Sequence, residues 1–194
     1  MKIVIKSRVL ISFCLLFVFG CFVSVSFAAN AKDKHAFENS KYFDVSVKET
    51  LSGDVLRLDN DKLLRLIGVD TPEVVDGNKL QFDSKVSNIP EEVLRVMGNE
   101  AKCFIEDLID GKRLRVEFDK KVKDNYGNLL GYVFILPEKH SGEEIFLNVE
   151  VIKSGYTYKI DSIPNDRYMS LFDKLHQNAE KAQNSQLWQQ WRRQ

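Results

Sequence analysis

From Phe43 onward, apolar and polar residues alternate. Phe43, Val45 and Val47 interleave with Asp44, Ser46 and Lys48, the two-residue period of a half-buried strand. Ser52-Gly53 predicts a hairpin turn. Asp54 to Leu58 then form a second strand, and Asp59-Asn60-Asp61 turn into a third over Leu63 to Val69. Residues 74–90 are polar, include Gly77, Asn78 and Pro90, and read as a long surface loop. Met97, Ala101, Phe104, Ile105 and Leu108 recur at helical spacing until Asp110-Gly111 stops the helix. Leu114, Val116 and Phe118 alternate as a strand, Asp124 to Asn128 turn, and Leu129 to Leu136 make another strand. Ile145 to Ser154 predict a short helix ended by Gly155. A last helix starts at Asn165 or Asp166, either a good cap, and carries the stripe Tyr168, Leu171, Phe172, Leu175, Ala179 and Ala182. Trp188 and Trp191 follow, at least one of them expected to pack back on the body. The class is α+β with about three helices. Five short strands interrupted by a helix fit a five-stranded, partly open barrel of the OB type.

The 194 residues suffice for one domain. With 44% hydrophobic and 29% charged residues, the composition is that of a globular soluble protein. The net charge of zero hides a division. Residues 1–28 hold Lys2, Lys6 and Arg8 and no acid, so the remainder carries 25 of the 28 basic residues against all 28 acids, a net of −3. A mildly acidic body excludes a broad electrostatic hold on nucleic acid, and any phosphate site must be local. In residues 1–28, those three cations precede an apolar run from Val9 to Phe27 and the small residues Ala28 and Ala29, the order of a signal peptide. The length of the run leaves a membrane anchor open. Val18-Phe19-Gly20-Cys21 leaves a lipid-attachment site open as well. Each reading puts the body outside the cytoplasm: secreted or periplasmic, or anchored and facing outward. Residues 29–42 read as a flexible leader and 43–190 as the folded domain. Cys14 and Cys21 leave with a cleaved signal, so only Cys103 remains and no internal disulfide forms. Its apolar helical surroundings predict a small buried hydrophobe. His35, His140 and His176 show no metal-ligand spacing.

Three segments carry candidate chemistry. In Ser52-Gly53-Asp54-Val55-Leu56, Asp54 shares the inward strand face of Leu56 and Leu58, where a carboxylate needs a cation or a metal. A turn aspartate bonding nearby amides is the plainer alternative. In Leu64 to Glu73, Arg65 is embedded in an apolar strand, where an unpaired guanidinium would be costly. Asp70 and Glu73 flank Thr71-Pro72, and the proline holds Thr71 extended. A plain buried salt bridge would also account for this pattern. Strict alternation puts Arg65 and Asp70 on opposite faces, so a shared site requires a bend, and Gly68 is the natural place. The turn Asp124 to Asn128 is, taken alone, an ordinary hairpin loop.

Together these segments resemble the staphylococcal nuclease (thermonuclease) family over about Val45 to Trp188. The carriers are Arg65-Leu66 with Gly68-Val69-Asp70-Thr71-Pro72-Glu73 after the Gly53-Asp54 turn, supported by Glu117-Phe118-Asp119-Lys120 and Asp124-Asn125-Tyr126-Gly127. The resemblance implies a Ca²⁺-dependent nuclease acting on DNA, RNA or both, as a monomer with no obligate protein partner. It would touch a membrane only through an uncleaved N-terminal segment. Asp54, Asp70 and the Thr71 carbonyl would hold Ca²⁺, an ion suited to oxygen ligands. Glu73 would activate water as the general base. Arg65 would hold a phosphate oxygen as charge builds, and Tyr126 and Asn128 would lie at the phosphate end. The departures are specific. Asn128 stands where the family places a second catalytic arginine, with Lys120, Lys121 and Lys123 as nearby cations. Ser52 stands where an aspartate is usual, and Asp161 and Ile163 fall near the positions of base-stacking tyrosines. The alternative implied is a weakened module that binds nucleic acid or protein without cutting.

Overall fold

A computed structural model describes residues 41–138, 142–158 and 164–182. The expectations for the N-terminal segment, leader residues 29–40, His35, His140, Asp161, Ile163, Trp188 and Trp191 therefore lie outside the described residues, while Lys41 and Tyr42, expected in the leader, belong to a strand paired with Glu117 and Val116. No helix among the described residues is long and apolar enough to cross a membrane.

The strands are β1 (Lys41–Val45), β2 (Val47–Thr50), β3 (Val55–Leu58), β4 (Leu63–Leu66), β5 (Leu114–Glu117), β6 (Leu129–Ile135) and β7 (Ile145–Phe146). The helices are α1 (Asn78–Ser87), α2 (Glu91–Ile109), α3 (Leu147–Ser154) and α4 (Met169–Ala182). The sheet order is β1-β5-β6-β4-β3-β2, with β7 also on β6. β1 and β2 stand at opposite ends of that order yet are separated in the chain only by Ser46. The sheet therefore curls back on itself, as an OB-type barrel must. The break between them is at Ser46, just after a register shift inside β1 where Asp44 takes a φ of +59°. It turns the one alternating strand expected over Phe43 to Val47 into two segments, β1 on β5 and β2 on β3. With the two residues of β7, five expected strands become seven.

β6 is the centre. Its first half runs parallel to β4, pairing Leu64 with Leu129 and Leu66 with Gly131, while its second half runs antiparallel to β5. Gly131 is needed there, because a Cβ would lie 2.5 Å from Val116 Cγ1. The alternating strand residues Leu56, Leu58, Leu64, Leu66, Leu114, Val116 and Val133 fill the barrel interior. α2 closes one end of the interior with Ala101, Ile105 and Ile109, and Phe104 and Leu108 pack against the same core half-buried. Phe172 on α4 seals another side, beside Tyr132, Phe146 and Tyr168.

Three sequence expectations need correction. The 74–90 loop contains α1; its only buried residue is Leu80, so no apolar stripe betrays it. It ends on Asn88 in the left-handed region, φ +57°. Cys103 is exposed, because it falls between the buried positions Ala101 and Ile105 on the outer side of α2. The last helix begins at Met169 rather than at Asn165 or Asp166. Asn165 instead pins the 121 loop, accepting from Lys121 N–H at 2.7 Å and donating to its carbonyl at 2.8 Å.

Candidate active site

The Ser52-Gly53-Asp54 turn is wedged between α2 and Thr71. A Cβ on Gly53 would lie 2.7 Å from Ala101 Cβ and 2.8 Å from Thr71 Cγ2. The turn delivers Asp54 to the head of β3 almost fully buried. Its Oδ1 accepts from the hydroxyls of Ser52 at 2.7 Å and Thr71 at 3.3 Å. Its Oδ2 lies 2.7 Å from Arg65 Nη2 as an ion pair without hydrogen-bond geometry. The buried carboxylate is thus balanced by charge as well as by hydroxyls, as burial demands.

Arg65 lies on β4 opposite Val55 of β3. Beyond it the chain bends at Gly68, φ +77°, where a Cβ would meet the Phe172 ring at 2.5 Å. That bend brings Asp70 round to the face of Arg65, whose Nη2 donates to Asp70 Oδ1 at 3.2 Å. Asp70 is then fixed from far along the chain: its N–H donates to Thr157 Oγ1 at 2.8 Å, and its carbonyl accepts from Tyr158 N–H at 2.8 Å. α2 approaches the next residues closely, for a Cβ on Gly98 would lie 2.5 Å from the Pro72 carbonyl oxygen. Among the described residues, Arg65 uses only Nη2 in protein contacts. Its Nε and Nη1 hydrogens remain for another acceptor.

The group is under electrostatic stress. Burial, reinforced by Asp54, raises Asp70 above the ordinary carboxylate range despite Lys79 and Arg65. Burial and Asp54 do the same to Glu73. Burial works to lower Arg65, but Asp54, Asp70, Glu73 and Asp124 outweigh it and hold the guanidinium more firmly protonated.

Lys79 is a member the sequence reading missed. It reaches in from the first turn of α1, with its ammonium 3.4 Å from Asp70 Oδ1 and 4.0 Å from Glu73 Oε1. The available signal was its i, i+4 spacing to Asp83, which it meets at 2.7 Å. Thr157 was missed as well, since nothing local marks a hydroxyl that bonds 87 residues upstream.

The Asp124 turn is organised differently. Asp124 Oδ1 accepts from the N–H groups of Tyr126 at 2.8 Å and Asn128 at 2.9 Å, and Oδ2 accepts from Asn128 Nδ2 at 2.9 Å. Burial would raise Asp124, but the Asn128 side chain and these two amides outweigh it and hold the carboxyl low. Asn128 therefore braces its own turn, and Tyr126 stands exposed at the tip. Of the candidate lysines, Lys120 pairs with Asp166 at 2.7 Å and Lys121 with Asn125 Oδ1 at 3.2 Å, so neither stands in for a guanidinium.

No group of three or more His, Cys, Asp or Glu side chains among the described residues is arranged to hold a metal. Asp54, Asp70 and the Thr71 carbonyl offer oxygen only. They already gather cationic groups, Arg65 on Asp54 and Lys79 on Asp70 and the Thr71 carbonyl. That chemistry fits a hard divalent ion such as Ca²⁺, with water and substrate completing its shell.

Residues 63–190 match the family model of staphylococcal nuclease homologues. The chain is 33% identical to the thermonuclease of Staphylococcus intermedius over 140 residues, 71% of each chain. It is 30% identical to the thermonuclease of Staphylococcus hyicus over 145 residues, 73% of each. It is 26% identical to endonuclease YncB of Bacillus subtilis over 158 residues, 79% of this chain and 65% of that one.

Proposed function

This chain belongs to the staphylococcal nuclease family, and we propose that it is an exported, Ca²⁺-dependent nuclease that hydrolyses phosphodiester bonds of DNA, RNA or both. One observation carries the reading. Two acids from separate strand ends, Asp54 and Asp70, converge on one edge of Arg65 and leave the rest of its guanidinium unused among the described residues. A guanidinium serving only a salt bridge would have no reason to keep that face clear.

Asp54, Asp70 and the Thr71 carbonyl would hold Ca²⁺, which when bound supplies positive charge to a phosphate oxygen. Nε and Nη1 of Arg65 donate to a non-bridging phosphate oxygen, and their hold strengthens as charge gathers there. Glu73 accepts a proton from the attacking water. The new bond forms between that water oxygen and phosphorus, and the bond from phosphorus to the leaving sugar oxygen breaks, that oxygen taking a proton from solvent. The carboxyl raised by burial is the better base for this step, since its proton affinity is nearer that required at neutral pH. Tyr126 and Asn128 flank the phosphate end. Residues 1–28 direct export, and the body acts as a monomer.

The Asn128 bond to Asp124 favours a second reading, a module that binds without cutting. Purified residues 29–194 separate the two when given denatured DNA and RNA, with Ca²⁺ and with chelator, beside Glu73→Gln. Ca²⁺-dependent cleavage that drops about 10²- to 10⁴-fold in the variant is the expected result. Retained binding without cleavage in the unmodified protein would establish the second reading.

A further inference from the structure

Lys79 places a cation on the same oxygens that the metal reading requires. Its ammonium donates to the Thr71 carbonyl at 3.3 Å and lies 3.4 Å from Asp70 Oδ1. It is anchored from behind by Asp83 Oδ2 at 2.7 Å and passes 5.6 Å from the centre of the Tyr158 ring. The hydroxyl of that ring is buried with no hydrogen-bond partner among the described residues, and burial together with Asp83 and Asp70 holds it firmly protonated. Lys79 is thus neither a solvated surface lysine nor a simple helix pair. It bridges its own helix to the cradle.

An ammonium and a divalent cation repel strongly at the separation these shared oxygens would impose. We propose that Lys79 is a tethered counter-ion. It neutralises the cradle when no metal is bound and withdraws toward Asp83 when Ca²⁺ enters, so it lowers the affinity of the site for divalent ions. The metal-free fold is then protected from the mutual repulsion of Asp54, Asp70 and Glu73. The cost is that metal and lysine exclude each other from the Thr71 carbonyl. This inference rests on the metal reading of the same site.

The test is calorimetric titration of Ca²⁺, without nucleic acid, into the full body of the protein and into Lys79→Gln and Lys79→Arg. The neutral variant is expected to bind Ca²⁺ about tenfold tighter or more, within the usual range of coupling between two ligands. The arginine variant should stay close to the unmodified protein. Melting in chelator should show the neutral variant less stable, with a larger gain on adding Ca²⁺. Equal or weaker binding by Lys79→Gln, with Ca²⁺ still bound by the unmodified protein, overturns the counter-ion role and leaves the metal reading intact. Absence of Ca²⁺ binding in every form overturns both. A measurement on the unmodified protein stands beside the variants: acylation of Lys79, followed by mass spectrometry with the exposed Lys48 as internal reference. Ca²⁺ should raise Lys79 labelling about threefold or more; no change overturns the proposal even if Lys79→Gln fails to fold.

Discussion

Arg65 and Arg115 both rise from strand interiors and both sit between two acids, but they are finished differently. Arg115 on β5 donates through Nε to Glu144 at 2.9 Å, through Nη1 to Glu117 and through Nη2 to Glu144 again. Its guanidinium carbon lies 4.0 Å from the Phe134 ring centre. Its side chain is 11% exposed, against 32% for Arg65. Every nitrogen of Arg115 has an acceptor and its flat face has a ring. Arg65 commits one nitrogen to two carboxylates and leaves the others without an acceptor among the described residues. A complete shell is the mark of an arginine that holds the fold together, and an incomplete one is the mark of an arginine that awaits a ligand.

Replacing each arginine by lysine tests that contrast most severely. Arg65→Lys should lower kcat about 100-fold, as loss of one preorganised donor does, with the melting curve little changed. Arg115→Lys should leave kcat nearly intact but cost roughly 1 to 2 kcal/mol of stability, since lysine keeps the charge but loses the forked hydrogen bonds to Glu117 and Glu144 and the contact with the Phe134 ring. Urea unfolding followed by circular dichroism reads the second and steady-state kinetics the first. Equal effects on both quantities at both sites would erase the distinction.

Asn128→Arg comes next in size. It removes the bond that ties the side chain to Asp124 and adds a second guanidinium at the proposed phosphate end. A rise in kcat of about tenfold is expected, worth about 1.4 kcal/mol in the barrier. An unchanged kcat would mean that the turn, not the side chain, sets the limit.

The smallest effect is on pH. Glu73 and Asp70 both titrate above their ordinary values in the fold. Activity needs the ionised Glu73, so the acid limb of kcat/KM should have its midpoint above 4.5, the ordinary value for glutamate. The stability contribution has the opposite sign. A carboxyl raised by folding contributes stability that is fully present below its unfolded pKa and is lost as pH rises through the folded one. Glu73→Gln should therefore flatten a decline in stability between those two values, seen by melting across that range. The Arg115 cluster should contribute no matching acid limb to activity.

The sequence made the cradle legible because its parts are local. Gly68 announced the bend that joins Arg65 to Asp70, and Ser52-Gly53 announced the turn that presents Asp54. The barrel was legible from two-residue alternation, with the exception of the stretch at Asp44 and Ser46, where a left-handed residue and a break divide a strand that reads as continuous. α1 was not legible. Its exposed apolar residues Phe82 and Val86 and single buried Leu80 make no stripe, so the helix that carries Lys79 into the site looks polar and loop-like. Thr157 was hidden by distance along the chain, and Cys103 by neighbours whose burial it does not share.

Gly68 also bears on the order in which the molecule is made. The space a side chain would need at its bend is filled by the Phe172 ring, carried by the last described helix. A chain leaving the ribosome displays Asp54, Arg65, Asp70 and Glu73 before the ring that packs over their bend has been made. The part of the molecule that meets phosphate is thus written before the residue that locks it.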